Sequence, residues 1–300
     1  MTLPNFLIIG TQKAGTTSLA LHLAKHPQVY MSPLKEPGFF DFENQKPDFN
    51  GSDDLQLYSS VVTDLEAYRQ LFAKASKEIA IGEATTWYMY SQKAAEHIHN
   101  YIPNAKLIVI LRNPVERAYS AFMHAVRDGR ENVTDFSQAL QQEKIRIEQN
   151  WEYLWHYKQM GYYYVQLSRY YKLFDRSQIK VFLYEDLNHN STKMLEEICQ
   201  FLNIDKTLMP KMTTRLNKSG IPQNKLLDRL LKKSNPIKST LRFFVPSQKL
   251  RFHIHMSLHN RNLVKPKVSS IAKNKMLQEY RSDILQLQDL IEKDLSAWLK

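Results

Sequence analysis

The chain has 300 residues, of which 43% are hydrophobic and 24% are charged, as is typical of a soluble globular protein, and we expect a single domain over residues 1–300. One cysteine, Cys199, excludes both an intrachain disulfide and a four-cysteine zinc site. The formal net charge of +11 favours an anionic partner, which could be nucleic acid, an anionic membrane, an acidic polysaccharide or a phosphorylated nucleotide.

The N-terminal segment carries no recognisable targeting signal. It has no basic stretch followed by a long apolar run, and no window of the sequence reaches the roughly 20 apolar residues of a membrane span. The helical spacing of Cys199 with Leu195 and Leu202 predicts a buried thiol, which agrees with a reducing compartment. We therefore expect a cytoplasmic protein.

Strand and helix signals alternate along much of the chain. Apolar runs predict four strands, at residues 6–9, 78–84, 105–112 and 178–187. Helices are predicted near residues 18–25 and 91–100, and Asn113 followed by Pro114 predicts the cap and first residue of a further helix. This alternation predicts an α/β fold with a central parallel sheet flanked by helices.

Ligands of such sheets bind beyond the carboxyl ends of the strands. This rule brings Gly10–Thr17, the segment after Ile81 and the segment after Leu111 into one neighbourhood. We expect a ligand there.

Three further stretches have a simpler interpretation. The polar residues from Asp41 to Asp64 lack any period and predict a surface loop. Residues 206–267 are basic with interspersed prolines, which predicts helices and loops on one side of the sheet. Apolar residues at helical spacing between Met276 and Trp298 predict an amphipathic C-terminal helix packed on the core.

The stretch "GTQKAGTT" joins the first strand to the first helix. Gly10 and Gly15 keep the spacing of a nucleotide-binding P-loop, but Thr16 stands where that pattern has its lysine, and Lys13 lies two residues before Gly15. Such a turn directs backbone amides and a helix N-terminus at one phosphate. A lysine inside the loop can lie beside the bond that breaks, which suits a donor with a sulfuryl group on one 5′-phosphate and requires no magnesium.

"GTQKAGTTSL" resembles the 5′-phosphosulfate loop of sulfotransferases that use 3′-phosphoadenosine 5′-phosphosulfate (PAPS). The resemblance implies that PAPS is the co-substrate, that the fold is the P-loop-kinase-like sulfotransferase fold, and that no metal takes part. It also implies that Lys13 is catalytic. The residues that would bind the 5′-phosphosulfate are Lys13, Ala14, Gly15, Thr16 and Thr17.

"LIVILRNPVERAYSAFMH" is similar to the 3′-phosphate motif of the same family, and this similarity implies that Arg112 and Ser120 bind the 3′-phosphate. Arginine offers a planar fork to a phosphate, and Ser120 follows Arg112 by eight residues, about two helical turns. "NKSGIP" loosely resembles a loop that closes on the nucleotide in this family. That resemblance adds Lys218, Ser219 and Gly220 to the predicted binding residues.

The acceptor side resembles the carbohydrate sulfotransferases of the heparan type. In those enzymes a Glu shortly before a Phe-Phe pair is the general base, which implies this role for Glu36 before Phe39 and Phe40. Partial burial beside Pro37 and the phenylalanine rings would raise the pKa of that carboxylate and make it a better base. The position of His124 resembles that of a histidine thought to assist catalysis in N-sulfotransferases.

The segment after the second predicted strand departs from the heparan-type pattern. Ala84 stands where several of those enzymes have a lysine, so a second catalytic lysine is in doubt, whereas Glu83 and Thr85 are expected to line the acceptor side. The cysteine pair that flanks the nucleotide loop in the Golgi enzymes is absent. That departure favours a bacterial-type, cytoplasmic member.

We therefore predict transfer of a sulfuryl group from PAPS to a hydroxyl or amine, in a carbohydrate or glycolipid rather than a nucleic acid. Two alternatives stay open: a magnesium-dependent nucleotide kinase, and a non-catalytic protein that binds a polyanion or a membrane. The basic, apolar "LRFFVPSQKLRF" is compatible with peripheral membrane contact. The acceptor's identity and the oligomeric state cannot be read from the sequence.

Overall fold

A computed structural model describes residues 2–51, 54, 58–210, 221–222, 263–264 and 268–300. Its centre is a five-stranded parallel sheet in the order β2-β3-β1-β4-β5. The strands are β1 (Phe6–Gly10), β2 (Val29–Met31), β3 (Ala80–Ala84), β4 (Lys106–Leu111) and β5 (Ile179–Leu183). The first three predicted strands are confirmed, and the fourth is confirmed up to Leu183, after which its predicted residues 184–187 are helical. The missed edge strand β2 has three residues, too few to show a period.

Two further strands, Ile221–Pro222 and Leu263–Val264, pair antiparallel apart from this sheet. Most of the predicted basic stretch at 206–267 lies outside the described residues. No helix of the described segments is both long and apolar enough to cross a lipid bilayer.

Helices pack on both faces of the main sheet, as the alternation predicts. They are α1 (Thr16–Leu23), α2 (Phe39–Phe42), α3 (Leu65–Gln70), α4 (Ala94–Tyr101), α5 (Pro114–Arg127), α6 (Phe136–Glu148), α7 (Tyr163–Leu173), α8 (Tyr184–His189), α9 (Ser191–Leu202) and α10 (Ser270–Ile291). Successive side chains of β1 serve different cores: Leu7 and Ile9 pack with α4, α5, α7 and α10, whereas Phe6 and Ile8 pack with α1 and α9.

Local sequence signals account for several of these helices. Asn113 caps α5 by accepting hydrogen bonds from the amides of Val115 and Glu116, at 3.1 and 3.2 Å, and Pro114 is the first residue of the helix. The predicted C-terminal helix is α10, and the Cys199 thiol is buried in α9. These predictions are therefore confirmed.

Strand order decides where a ligand can bind. β1 lies between β3 and β4, with Ile8 in register with Ala84 and Gly10 with Val109. The turn after β1 therefore emerges between the segments that follow β3 and β4. The segment after β3 folds back over the end of β1, where the amide of Met89 donates a hydrogen bond to the carbonyl of Ile9 at 3.0 Å. The predicted ligand neighbourhood thus forms at one edge of the sheet.

The prediction of a surface loop from Asp41 to Asp64 is wrong for much of that stretch. Phe49 and Tyr58 are buried in the core. The Asp54 carboxylate, which is 1% exposed, accepts hydrogen bonds from the amide of Glu152 and from Nε1 of Trp155, both at 2.8 Å. These anchors have no period along the chain, because a loop is fixed by individual contacts and not by a repeating face.

Replacing Asp54 by Ala should lower the free energy of unfolding by about 2–4 kcal/mol, because two buried donors lose their acceptor. Chemical denaturation measures this loss. The control is Asp48→Ala, because Asp48 is exposed in the same loop and its carboxylate accepts one long hydrogen bond, of 3.4 Å, from Asn150. That variant should change the stability by less than about 0.5 kcal/mol. Equal losses in the two variants would contradict an anchoring role for Asp54.

Candidate active site

The loop after β1 has the backbone of an anion-binding turn. Lys13 and Gly15 have φ angles of 69° and 92°, in the left-handed region. The left-handed φ favours glycine at residue 15, and a Cβ there would lie 2.5 Å from Cδ2 of Leu187, so the leucine side chain would have to move. Helix α1 begins at Thr16, and no side chain of the described residues caps it. Its first amides can therefore donate to an anion.

The Lys13 amine lies in a cationic surrounding. Burial is the largest of the effects that lower the pKa of Lys13 to about 8; the positive charges of Arg127, Arg112 and Lys35 act in the same direction, and the charge of Asp128 opposes them. Lys13 remains mostly protonated near neutral pH. A partly buried cation among other cations is stabilised when an anion binds beside it.

Arg112 connects the end of β4 to this loop. The side chain is 2% exposed, and its Nη1 donates to the backbone carbonyl of Lys13 at 3.1 Å. Its Nη2 lies 2.9 Å from the Glu116 carboxylate, and the guanidinium lies 4.6 Å from the ring centroid of Tyr184. Ser120, also 2% exposed, follows on α5. Arg112 is thus beside the phosphate loop, as predicted.

His124 is close enough to Lys13 for their charges to interact. Burial, which is the largest effect, and the positive charge of Lys13 together lower the pKa of His124 to about 3, against the opposing charge of Asp128. The imidazole is therefore neutral near pH 7. Its Nε2 lies 3.4 Å from Oδ2 of Asp128, which is a contact with a neutral ring and not an ion pair. Arg127 and Asp128 were missed by the sequence analysis, although they lie one turn beyond His124.

Glu36 lies beyond the end of β3 and has a left-handed φ of 57°. Its amide donates to the carbonyl of Ala84 at 3.0 Å. Its Oε1 accepts hydrogen bonds from the Thr86 hydroxyl at 3.0 Å and from the Lys35 amine at 2.9 Å, and the side chain is 28% exposed. The carboxylate is thus oriented by polar partners and open to solvent. Thr86 was missed, although it follows directly in "TTWY".

Glu83 and Thr85 do not line the acceptor side, contrary to the expectation from the sequence. Both are fully buried, and burial raises the pKa of Glu83 to about 8, so the carboxyl is mostly protonated near neutral pH. The hydroxyls of Thr85 and Tyr68 donate to Glu83 at 2.9 and 3.3 Å. Thr85 accepts from the amide of Gly38 at 3.4 Å. This network therefore supports the segment that carries Glu36 from behind.

Several buried polar atoms around the phosphate loop have no hydrogen-bond partner among the described residues. They are Thr11 Oγ1, Gln12 Oε1, Arg112 Nε and His124 Nδ1. Buried polar atoms are nearly always hydrogen-bonded, so a group of unsatisfied ones marks a place where a polar ligand completes the structure. The atoms come from the turn after β1, from the residue after β4 and from α5, which meet at this edge of the sheet.

One predicted part of the site, the nucleotide loop, cannot be located. Lys218, Ser219 and Gly220 lie outside the described residues. Within the described ranges, no three His, Cys, Asp or Glu side chains come together in a way that could hold a metal ion. The described part of the predicted site therefore consists of the phosphate loop, Arg112, Ser120, His124 and Glu36.

Comparison with known proteins identifies relatives over much of the chain. The human carbohydrate sulfotransferase 15 is 27% identical over 67% of this chain and 44% of its own length. The membrane-associated sulfotransferase kil1 of Dictyostelium discoideum is 32% identical over 42% of this chain and 24% of its own. The bifunctional heparan sulfate N-deacetylase/N-sulfotransferase 1 of Caenorhabditis briggsae is 35% identical over 40% and 13%. The chain thus spans less than half the length of each.

A solved structure covers the whole chain. A sulfotransferase from Alicyclobacillus acidocaldarius is 29% identical, covers 100% of both chains, and superimposes with a TM-score of 0.78. The predicted fold class is confirmed by this likeness. Residues 4–207, which include every described residue of the predicted site, match the sulfotransferase family. The chain therefore belongs to the sulfotransferase family.

Proposed function

We propose that this chain transfers a sulfuryl group from PAPS to a hydroxyl or amine of a carbohydrate or glycolipid. The observation that carries the proposal is the group of unsatisfied polar atoms around the loop of Lys13, beside buried Arg112. Family membership supports sulfuryl transfer. A carbohydrate acceptor is supported by the names of the relatives, which are carbohydrate and heparan sulfate sulfotransferases.

The donor side of the reaction uses fixed positive charge. The first amides of α1 and the Lys13 amine hold the 5′-phosphosulfate, and Arg112 with Ser120 holds the 3′-phosphate. As the bond between sulfur and the bridging oxygen breaks, negative charge grows on that oxygen, and Lys13 stabilises it. The same combination of positioning and electrostatics dominates phosphoryl transfer.

The acceptor side supplies a base. The acceptor oxygen or nitrogen forms a bond to sulfur, and its proton passes to Glu36, while the leaving group departs as 3′-phosphoadenosine 5′-phosphate (PAP). Thr86 and Lys35 orient the Glu36 carboxylate for this step. Neutral His124 assists as a hydrogen-bonding partner near Lys13, since its lowered pKa makes it a weak base. The cytoplasmic location, the absence of a metal and the peripheral membrane contact stay predictions.

Calorimetric titration with PAP, ATP and AMP in EDTA tests the donor site. PAP should bind more tightly than AMP, which lacks the 3′-phosphate. Arg112→Ala should weaken PAP binding about 10- to 100-fold, because charged hydrogen bonds to the phosphate are lost. The control is Arg176→Ala, since the Arg176 side chain is 59% exposed and lies outside the candidate site. It should leave the affinity unchanged.

A preference for ATP that requires magnesium would overturn the proposal in favour of a nucleotide kinase. Binding of polyanions without any PAP binding would favour the non-catalytic alternative. Circular dichroism of each variant separates loss of the site from loss of the fold.

The affinity for PAP should also fall as the pH rises above about 8. The pKa of free Lys13 is about 8, and a bound anion favours its charged form, so binding above that pH requires uptake of a proton. The dissociation constant should rise by up to about tenfold per pH unit, while the PAP phosphates stay fully ionised. In Lys13→Met the affinity should be lower and nearly independent of pH from 8 to 10. An unchanged pH dependence in this variant would show that another group titrates.

Replacing Glu36 by Gln should reduce turnover about 10²- to 10⁴-fold and leave PAP affinity within twofold, because the base is lost and the donor site is intact. Release of PAP from PAPS is measured with N-desulfated heparin oligosaccharides, which offer both hydroxyls and amines. Glu66→Gln is the control, since Glu66 is 51% exposed on α3. Near-normal turnover of Glu36→Gln would remove Glu36 as the base.

A further inference from the structure

A polar cavity lies outside the candidate active site. It has a volume of about 1160 Å³ and is lined by side chains from residues 41–49, 90–93 and 147–169. Neither the phosphate loop, nor Arg112, nor Glu36 contributes to its walls. The volume exceeds the range of roughly 300–1,000 Å³ that is usual for pockets that hold a single small molecule. A chain of several units would fill it better.

Aromatic rings form much of the lining, and they hold one another in place. Tyr153 makes edge contacts with Phe49 and Tyr90, at centroid distances of 5.4 and 5.2 Å. The Tyr90 hydroxyl hydrogen-bonds to Nδ1 of His156 at 2.8 Å, and Tyr162 packs on a ring of α10 at 5.0 Å. Fixed tyrosine rings offer an apolar face and a polar tip, which suits sugar rings with C–H faces and hydroxyl edges.

The charge of the cavity is positive. Four cationic side chains line it, Lys46, Lys93, Lys158 and Arg169, against the carboxylates of Asp41 and Asp48. Burial raises the pKa of one of these carboxyls, that of Asp41, to about 6, and the Ser91 hydroxyl hydrogen-bonds to it. An anionic ligand is therefore favoured over a neutral or cationic one.

These cations differ in how firmly they are held. Arg169 donates to the carbonyls of residues 89, 90 and 91 at 2.9–3.2 Å, and Lys158 pairs with Glu279 at 2.7 Å. Lys46 and Lys93 are exposed at the rim. A rim lysine can meet a sulfate or carboxylate without disturbing the fold.

Two residues of the wall, Gln166 and Arg169, each carry a buried polar atom without a hydrogen-bond partner among the described residues. Gln166 is 3% exposed, and its amide nitrogen donates to the carbonyl of Met160 at 3.1 Å. Its Oε1 has no hydrogen-bond partner among the described residues, and neither has Nε of Arg169. One acceptor and one donor without partners thus belong to residues that line the cavity beside the rings.

The walls of the cavity lie close to Glu36 along the chain. Asp41, in its wall, follows Glu36 by five residues, so their Cα atoms are at most about 18 Å apart even in a fully extended chain. Tyr90 likewise follows Thr86, which hydrogen-bonds to Glu36, by four residues. The segments that position the candidate base thus continue directly into the walls of the cavity.

We propose that this cavity binds neighbouring units of an anionic oligosaccharide acceptor, while another unit of the same chain reaches Glu36. The inference rests on the proposed function in so far as the protein is a transferase with a carbohydrate acceptor. The rings contact the sugar faces, and Lys46 and Lys93 bind sulfate or carboxylate groups.

A pair of matched double variants of the full chain tests the proposal. The first is Lys46→Glu with Lys93→Glu at the rim, and the control is Lys74→Glu with Lys77→Glu, which changes the net charge equally at exposed positions outside the cavity. Binding of a heparin-derived hexasaccharide is measured by calorimetry at low salt. The rim variant should weaken binding about tenfold, since two surface charge contacts are lost, and the control should weaken it less than twofold.

A third variant tests the rings. Tyr162→Ala should weaken hexasaccharide binding at least threefold, whereas Tyr162→Phe, which retains the ring, should keep more of the affinity than Tyr162→Ala. Maltohexaose, a neutral hexasaccharide, should bind at least tenfold more weakly than the heparin-derived one. PAP affinity is measured in every variant and should stay unchanged.

Equal weakening in the rim and control variants would overturn the proposal, because the charge as a whole would then attract the ligand. Maltohexaose binding as tight as that of the heparin-derived hexasaccharide would contradict the proposal that the cavity prefers an anionic ligand. A single-stranded oligonucleotide that binds more tightly and is equally sensitive to the rim variant would replace the oligosaccharide with nucleic acid. If the unmodified chain fails to bind PAP, the proposed transfer itself fails, and this outcome is distinguishable from the others.

Discussion

The hydrogen bond from Arg112 to the backbone carbonyl of Lys13 joins β4 to the turn after β1, and the candidate site depends on it. It holds two cationic residues together at an edge of the sheet where water is largely excluded. That arrangement is electrostatically unfavourable, because burial above all, and then neighbouring positive charges that include Arg112, lower the pKa of Lys13. Glu116 and the ring of Tyr184 stabilise the guanidinium in part, and a bound anion would provide the remaining compensation.

Glu36 lies in a different environment from the buried cations of the phosphate loop. Glu36 is open to solvent and held by polar partners, whereas Glu83 behind it is fully buried and mostly protonated. A second ionised carboxylate at that depth would be costly and would repel Glu36. Protonated Glu83, with Thr85 and Tyr68, can therefore support the segment of Glu36 without adding negative charge beside it.

The proposed oligosaccharide cavity would separate binding of the acceptor from binding of the donor. In the proposed reaction, charge at the phosphate loop binds the donor, and the rings with the rim lysines bind an acceptor whose chemistry is distributed over several units. Glu36 and the cavity are connected by the segment that follows β3, since Thr86 contacts Glu36 and Tyr90 lines the cavity. A transferase that acts within a long acceptor needs such a division, because specificity then comes from units that do not react.

Local sequence determined the parts of the protein that depend on neighbouring residues. The spacing of Gly10, Lys13 and Gly15 and the pair Asn113-Pro114 fix backbone geometry within a few residues, and apolar runs fix the strands, so the sheet and the phosphate loop could be predicted. The tertiary structure alone decided that Asp54 is buried against Trp155, 101 positions away, and that Glu83 lies behind Glu36. Such contacts leave no period in the sequence, because each depends on where distant segments meet once the chain has folded.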